Sequence, residues 1–119
     1  MKNRIIRIEN GVVSVPQFGE IGMTVHEIAA LFEVYVQTVN ANIKAVLKSG
    51  VVKADISGTV TLAGNIIMPD VYEMEMIIAL VFRIKSRNSN LLREWIIKKI
   101  SKPELPEILK MSIQNPVLN

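Results

Sequence analysis

Cysteine is absent from this 119-residue sequence, and histidine occurs once, at His26. Without cysteine the chain cannot form disulfides, thiolate nucleophiles, iron–sulfur clusters or cysteine zinc sites. A single histidine also excludes a multi-histidine metal site within one chain. We therefore expect no metal and no cofactor, and a reducing cytoplasm is the default location.

Long apolar runs are also missing. The longest unbroken one, residues 76–82, has seven residues, whereas a membrane-spanning helix needs roughly 20. Residues 1–7 alternate charged and aliphatic side chains, which is unlike a signal peptide. With 50% hydrophobic and 21% charged residues, the composition predicts one globular domain that has no membrane partner.

Acidic residues are scarce in two stretches. Residues 83–102 hold seven basic side chains against Glu94 alone, and residues 34–54 hold three lysines and no acid. The net charge of the whole chain is only +3, so the distribution is more informative than the total. Two acid-poor stretches could form one electropositive face, which is the usual footprint of a polyanion-binding protein.

The order of periodic segments predicts an α+β fold. Asn10-Gly11 favours a type I′ hairpin turn, Thr24 and Glu27 form a capping box, and Ser49-Gly50 is typical of a helix end. We expect a hairpin over 4–15, a short helix from Thr24, a helix over 36–48, a β-ribbon over 51–69, a buried helix over 71–84 capped by Asp70, and a basic helix over 90–101.

The predicted domain, residues 1–102, ends where Pro103 and Pro106 open a tail. The tail, residues 103–119, is a candidate for docking or for exchange between subunits. Residues 88–90 are expected to break the chain before the basic helix. The apolar side of that helix is expected to carry Leu92, Trp95, Ile96 and Ile100.

Residues 24–48 have the sequence form of a helix-turn-helix, with the ribbon where a winged helix carries its wing. Ala29 supplies the small residue that the crossing of the two helices requires. Glu33 stands where glycine is preferred in the turn, so a different turn geometry is open. Short motifs of this kind also occur in domains that bind no DNA.

The outward side of the second helix suits a major groove chemically. Gln37 could pair with adenine, Thr38 could donate to a base or a phosphate, and Ala41 could contact a thymine methyl group. Asn40 completes the candidate base contacts, and Lys44 and Lys48 are within reach of phosphates. The segment has no arginine, so the commonest guanine contact is missing.

Four segments carry a family resemblance: residues 28–34, residues 38–43, residues 77–86 and Arg93-Glu94-Trp95. In order and spacing they resemble the virulence-associated RhuM family of bacterial and phage-derived proteins, over about residues 24–100. The family is generally regarded as DNA-binding, so the resemblance implies that function here. Glu33 replaces the family's usual glycine and Tyr35 a usual small polar residue. Arg83, Lys85 and Ser86 match best, either as phosphate contacts or as a structural element.

These observations predict a non-catalytic protein that binds double-stranded DNA, as a homodimer, and regulates transcription. No Walker motif, dinucleotide loop or nucleophile elbow is present, and no small-molecule substrate is evident. An alternative is a protein-interaction module that uses Tyr35, Gln37 and the nearby alanines, and a third is a targeting domain for a separate effector. The expected phosphate contacts are Thr24, Lys44, Lys48, Lys53, Arg83, Lys85 and Arg87.

Overall fold

A computed structural model describes residues 4–53, 60–63 and 66–101, which form a mixed α+β fold. The chain opens with the predicted hairpin of β1 (Arg7–Glu9) and β2 (Val12–Ser14), which pair antiparallel with Ile8 opposite Val13. Asn10 and Gly11 have φ values of 53° and 78°. Positive φ at both turn positions is the requirement of a type I′ turn, so the sequence prediction for this hairpin is confirmed.

Helix α1 (Val25–Phe32) begins at the predicted capping box. The backbone N–H of Thr24 donates to Glu27 Oε1 across 2.9 Å, and the N–H of Glu27 donates to Thr24 Oγ1 across 3.2 Å. These two bonds satisfy amide groups that have no partner inside the helix. The first helix therefore starts where its sequence predicts.

The turn after α1 is built around Glu33, which adopts the left-handed conformation with φ 59° and ψ 47°. The N–H of Glu33 donates to the carbonyl of Ala30, and the N–H of Val34 donates to that of Ala29 across 3.0 Å. This pair of bonds defines a Schellman motif, a common helix end that favours glycine at the left-handed position. The departure at Glu33 therefore lies in the residue type, while the backbone keeps the conformation that glycine would adopt.

Helix α2 (Val36–Ser49) follows Tyr35 and ends at Gly50, whose φ is 81°. Its buried stripe consists of Val39, Ile43 and Val46, which recur at intervals of four and three residues and pack into the core. The prediction of this helix and of its glycine end is confirmed.

The predicted ribbon is present as β3 (Val60–Ala63) paired antiparallel with β4 (Ile66–Pro69). The prediction that Val51 and Val52 form a strand is wrong, because both lie in a bend directly after Gly50. Val52 is buried in the core and Val51 is exposed. The side chain of Val52 therefore reaches the core from a bend and not from a strand. The turn signals at Gly58 and at residues 64–65 lie outside the described residues.

Helix α3 (Met74–Val81) is shorter than predicted, and Glu73 rather than Asp70 stands at its N-cap. The reason lies in Tyr72, whose backbone exchanges two hydrogen bonds with Met23, of 2.8 and 2.9 Å. That bridge requires an extended backbone at Tyr72, so the helix can only start after it. Five of its eight residues are buried, as expected for a central helix, namely Met74, Met76, Ile77, Leu80 and Val81.

Helix α4 (Arg87–Ser101) begins three residues earlier than predicted, because residues 88–90 lie in its first turn and do not break the chain. Ser86 and Ser89 explain the early start: the N–H of each donates to the hydroxyl of the other, across 2.9 and 3.1 Å. Polar residues that resemble a loop in the sequence thus cap the helix.

The side chain of Asn88 is buried, and its amide donates to the carbonyl of Leu31 across 2.8 Å. This bond ties the start of α4 to the end of α1. Farther along α4, Leu92 and Ile96 are buried and Trp95 is half-buried, but Ile100 is 69% exposed. The prediction that Ile100 belongs to the packed side is therefore wrong.

The core lies among the four helices, where α1 packs on α2 and α4, and α3 packs on α2 and α4. Phe32, Ile43, Ile77, Leu80 and Leu92 have no measurable exposure. Within residues 4–53, 60–63 and 66–101, no helix has both the length and the apolarity to cross a membrane. Among the elements that the structure describes, none covers the side of α2 that lies opposite its buried stripe.

Candidate nucleic-acid interface

The uncovered side of α2 carries Gln37, Ala41, Lys44 and Lys48, all of them exposed. We call these four residues the outer face of α2. Their intervals of four, three and four residues align them along one side of the helix, opposite the buried stripe. The structure therefore brings together two of the predicted base contacts and two of the predicted phosphate contacts.

Thr38 and Asn40 lie on the two flanks of α2, and both are half-buried. Asn40 borders a cavity of about 420 Å³ toward α1 and β4, together with Lys44. Thr38 lies on the other flank, where its carbonyl accepts a hydrogen bond from Asn42 across 2.8 Å. These two predicted base contacts thus adjoin the outer face of α2 and do not lie at its centre.

Arg83 is held beside α2 by a specific hydrogen bond. Its Nε donates to the side-chain oxygen of Asn42 across 3.2 Å, while the Asn42 amide nitrogen binds the Thr38 carbonyl. Arg83 is exposed, and a guanidinium has five N–H donors. One donor fixes the side chain to α2, so the terminal nitrogens can bind an anion.

Thr24 caps the N-terminus of α1, as the sequence predicts. Its hydroxyl accepts the Glu27 N–H in the capping box, and the residue is half-buried. Thr24 nevertheless borders the 420 Å³ cavity that Lys44 also lines. Among the expected phosphate contacts, these two residues share one groove.

Lys53 is exposed but lies in a different environment from Lys44 and Lys48. It lines a small cavity of about 50 Å³ that Glu73 and Glu75 also line. Two carboxylates that line the same cavity lower the local positive potential. We therefore expect Lys53 to attract a phosphate less strongly than Lys44 or Lys48.

Lys85 and Arg87 are exposed on either side of Ser86, at the start of α4. Helix α4 packs mainly on α3 and α1, so these two cations extend the basic surface from the end of α3 toward α1. Arg83 differs from them because a hydrogen bond joins it to α2.

Asn42 and Tyr35 bear on this interface, although the sequence predicts no role for Asn42 and names Tyr35 only for the alternative of a protein-contact surface. Asn42 is recognisable only through its contact with Arg83, which lies 41 residues away in the chain, so no local pattern predicts its role. Tyr35 is 80% exposed at the N-cap of α2. The sequence shows that a tyrosine directly precedes the polar helix, but it does not show that the ring is exposed.

Tyr72 is the one strongly perturbed titratable group in the part of the chain that the structure describes. Burial raises its pKa to about 12, and the nearby negative charge of Asp70 adds to the increase. The side chain is only 4% exposed, and its hydroxyl has no hydrogen-bond partner among the described residues. A phenol with a pKa this high is neutral at pH 7, so it offers no phenolate nucleophile there.

The described residues contain no group of three or more His, Asp or Glu side chains that could hold a metal ion. His26 is exposed in the first turn of α1. The chemistry that the arrangement does offer is hydrogen bonding and charge, concentrated on α2 and on the neighbouring Arg83.

Comparison with known proteins finds no relative: no family model, no curated protein and no solved structure matches the chain. The resemblance to the RhuM family therefore remains a prediction from the residues quoted above. The function has to be inferred from the geometry of the surface.

Proposed function

We propose that this protein binds double-stranded DNA without catalysing a reaction, by inserting α2 into the major groove. The observation that carries the proposal is the outer face of α2, which presents two lysines, a glutamine and an alanine beside the tethered Arg83. The helix pair α1–α2 would be a helix-turn-helix, and the hairpin β3–β4 would be its wing.

Size and chemistry support this geometry. An α-helix with its side chains is about 10–12 Å across, and the major groove of B-DNA is about 12 Å wide. In the groove, Gln37 can pair with adenine and Ala41 can contact a thymine methyl group, while Lys44 and Lys48 bind phosphates. The absence of any acid from residue 34 to residue 54 removes the main source of repulsion.

The turn between the helices also supports the proposal. Helix-turn-helix motifs favour glycine at the position of Glu33, and Glu33 adopts the left-handed conformation suited to glycine. This conformation sets the direction in which α2 leaves α1. We propose further that the protein acts as a homodimer that regulates transcription, because two half-sites multiply the affinity of such a motif for DNA.

The test is binding to random-sequence duplex DNA, measured by fluorescence anisotropy over a range of salt concentrations. The logarithm of the binding constant should fall linearly with that of the salt concentration, with a slope of about 0.9 per phosphate contacted. The double variant Lys44→Ala/Lys48→Ala should bind more weakly and lower the slope by about 2.

The matched control is Arg7→Ala/Lys98→Ala, which removes the same charge from exposed positions on β1 and α4. It should keep nearly all of the affinity. Equal losses in the two double variants would show that only the total charge matters, and absence of binding at low salt by folded protein would overturn the proposal.

The exposed ring of Tyr35 favours a second candidate, a protein-interaction module. Tyr35 adjoins the outer face of α2, and exposed tyrosines are enriched at protein interfaces. Binding to a protein partner through Tyr35, Gln37 and Ala41 would depend little on salt. The salt series therefore separates the two candidates.

A further inference from the structure

A cleft with aromatic walls lies between the segment that follows β2 and the last two turns of α4. Its volume is about 380 Å³, and its lining consists of Val15, Pro16, Gln17, Phe18, Trp95 and Lys99. We call it the aromatic cleft. None of its residues belongs to α2 or to the proposed DNA-binding surface, so it needs a separate explanation.

The walls of the aromatic cleft combine apolar rings with positive charge. The ring centroids of Phe18 and Trp95 are 6.3 Å apart, with the planes inclined by 50°, and Phe18 is 44% exposed. The ammonium group of Lys99 lies 5.8 Å from the centroid of the Trp95 ring. Aromatic grooves of this kind bind proline-containing segments, whose rings pack flat against the aromatic side chains.

We propose that residues 103–107 of the same chain bind in the aromatic cleft. This segment, Pro-Glu-Leu-Pro-Glu, lies outside the described residues and is separated from the end of α4 by Lys102 alone. Its two prolines match the aromatic walls, and its two carboxylates complement Lys98 and Lys99. The surface thus gives the predicted docking tail a specific receptor, independent of DNA binding.

Distance favours binding within one chain. Trp95 lies six residues before Ser101, the last residue of α4, which corresponds to about 9 Å at 1.5 Å per helical residue. An extended chain covers about 3.3 Å per residue, so about three residues span this distance, and Pro106, which lies five residues after Ser101, can reach Trp95. A segment tethered this close has a high effective concentration at the cleft.

Trp95 is the only tryptophan in the chain, so its fluorescence reports directly on the cleft. We would compare acrylamide quenching of the full chain with that of a chain ending at Ser101 and with that of the full-length variant Pro103→Ala/Pro106→Ala. Both changes should raise the quenching constant severalfold and shift the emission to the red. A synthetic peptide of residues 102–110 should restore protection to the shortened chain.

The control peptide has alanine at both proline positions and should not protect Trp95. Circular dichroism of each variant verifies that the helices are intact, and the proline double variant keeps every described residue unchanged. Identical quenching in all three proteins would overturn the proposal. Protection that is lost when the full chain is diluted to the monomer would also overturn it, because the tail would then bind a second copy.

Discussion

Arg83 and Asn42 connect the end of α3 to α2 through a hydrogen bond of 3.2 Å between Nε and the side-chain oxygen. Asn42 uses both ends of its amide, because its nitrogen also binds the Thr38 carbonyl. The guanidinium is therefore held at the flank of α2, and no carboxylate pairs with it among the described residues. Since an arginine fork matches phosphate geometry, this contact couples the basic connection before α4 to the proposed DNA-binding helix.

Replacing Asn42 by alanine should weaken DNA binding because Arg83 is no longer held against α2. A hydrogen bond of this kind contributes about 1 kcal/mol, or roughly fivefold in affinity. In a double-mutant cycle, Asn42→Ala/Arg83→Ala should bind no more weakly than Arg83→Ala alone. Anisotropy titrations at fixed salt measure all four proteins.

The exposed pair of Asn90 and Arg93, also joined by a side-chain hydrogen bond, provides a control on α4. Asn90→Ala removes an asparagine–arginine contact of the same type away from α2 and should leave DNA affinity unchanged. If Asn42→Ala and Asn90→Ala lower affinity equally, Asn42 has no special role in positioning Arg83.

Replacing Glu33 by glycine should stabilise the fold. The left-handed backbone at Glu33 costs a residue with a side chain about 1 kcal/mol relative to glycine. Glu33→Gly should therefore raise the free energy of unfolding by about that amount, as measured by urea denaturation. A lower stability of this variant would show that the Glu33 side chain contributes more than its backbone conformation costs.

At Gly50 the opposite substitution should destabilise the fold, and Gly19 provides the control. With φ of 81°, Gly50→Ala should lower the free energy of unfolding by about 1 kcal/mol. Gly19 has open space around its Cα and no positive φ, so Gly19→Ala should have little effect. Equal effects of the two substitutions would contradict the conformational explanation.

The sequence predicts the features that depend on neighbouring residues. The turn at Asn10-Gly11, the capping box of Thr24 and Glu27, and the end of α2 at Gly50 all require contacts within about four residues. Binary patterning likewise predicts the exposed outer face of α2, because burial of one stripe leaves the opposite side free. The mixed α+β class follows from these local signals.

Features that depend on distant contacts could not be predicted. Helix α3 starts late because Met23 pairs with Tyr72, and the start of α4 is tied to the end of α1 because the buried Asn88 amide donates to the Leu31 carbonyl. In the sequence, polar residues 88–90 have the composition of a loop. The contact between Asn42 and Arg83 is hidden for the same reason.

Removing the buried amide of Asn88 should cost more than removing an exposed one. Asn88→Ala takes away the donor to the Leu31 carbonyl at the junction of α1 and α4. An unsatisfied buried polar group costs about 1–3 kcal/mol, so the free energy of unfolding should fall by about that amount. Asn90→Ala, at an exposed position of the same helical turn, should change it little, and similar losses would contradict the prediction.

The buried phenol of Tyr72 should make the fold sensitive to alkali. In the unfolded chain a tyrosine ionises near pH 10, whereas burial and the charge of Asp70 raise the pKa of Tyr72 to about 12 in the fold. The folded state therefore holds the proton more tightly, and above pH 10 the unfolded state loses it first. The stabilisation is complete below pH 10 and is lost as the pH rises from 10 toward 12.

The variant Tyr72→Phe tests this effect because it removes the ionisable hydroxyl and keeps the ring. The hydroxyl has no hydrogen-bond partner among the described residues, so its loss should leave stability at pH 7 unchanged or slightly higher. Between pH 10 and 12 the variant should lose less stability than the wild type, as followed by urea denaturation at each pH. Tyr35→Phe serves as the control because Tyr35 is 80% exposed, and it should follow the wild-type curve. Parallel curves for wild type and Tyr72→Phe would show that another group controls alkaline unfolding.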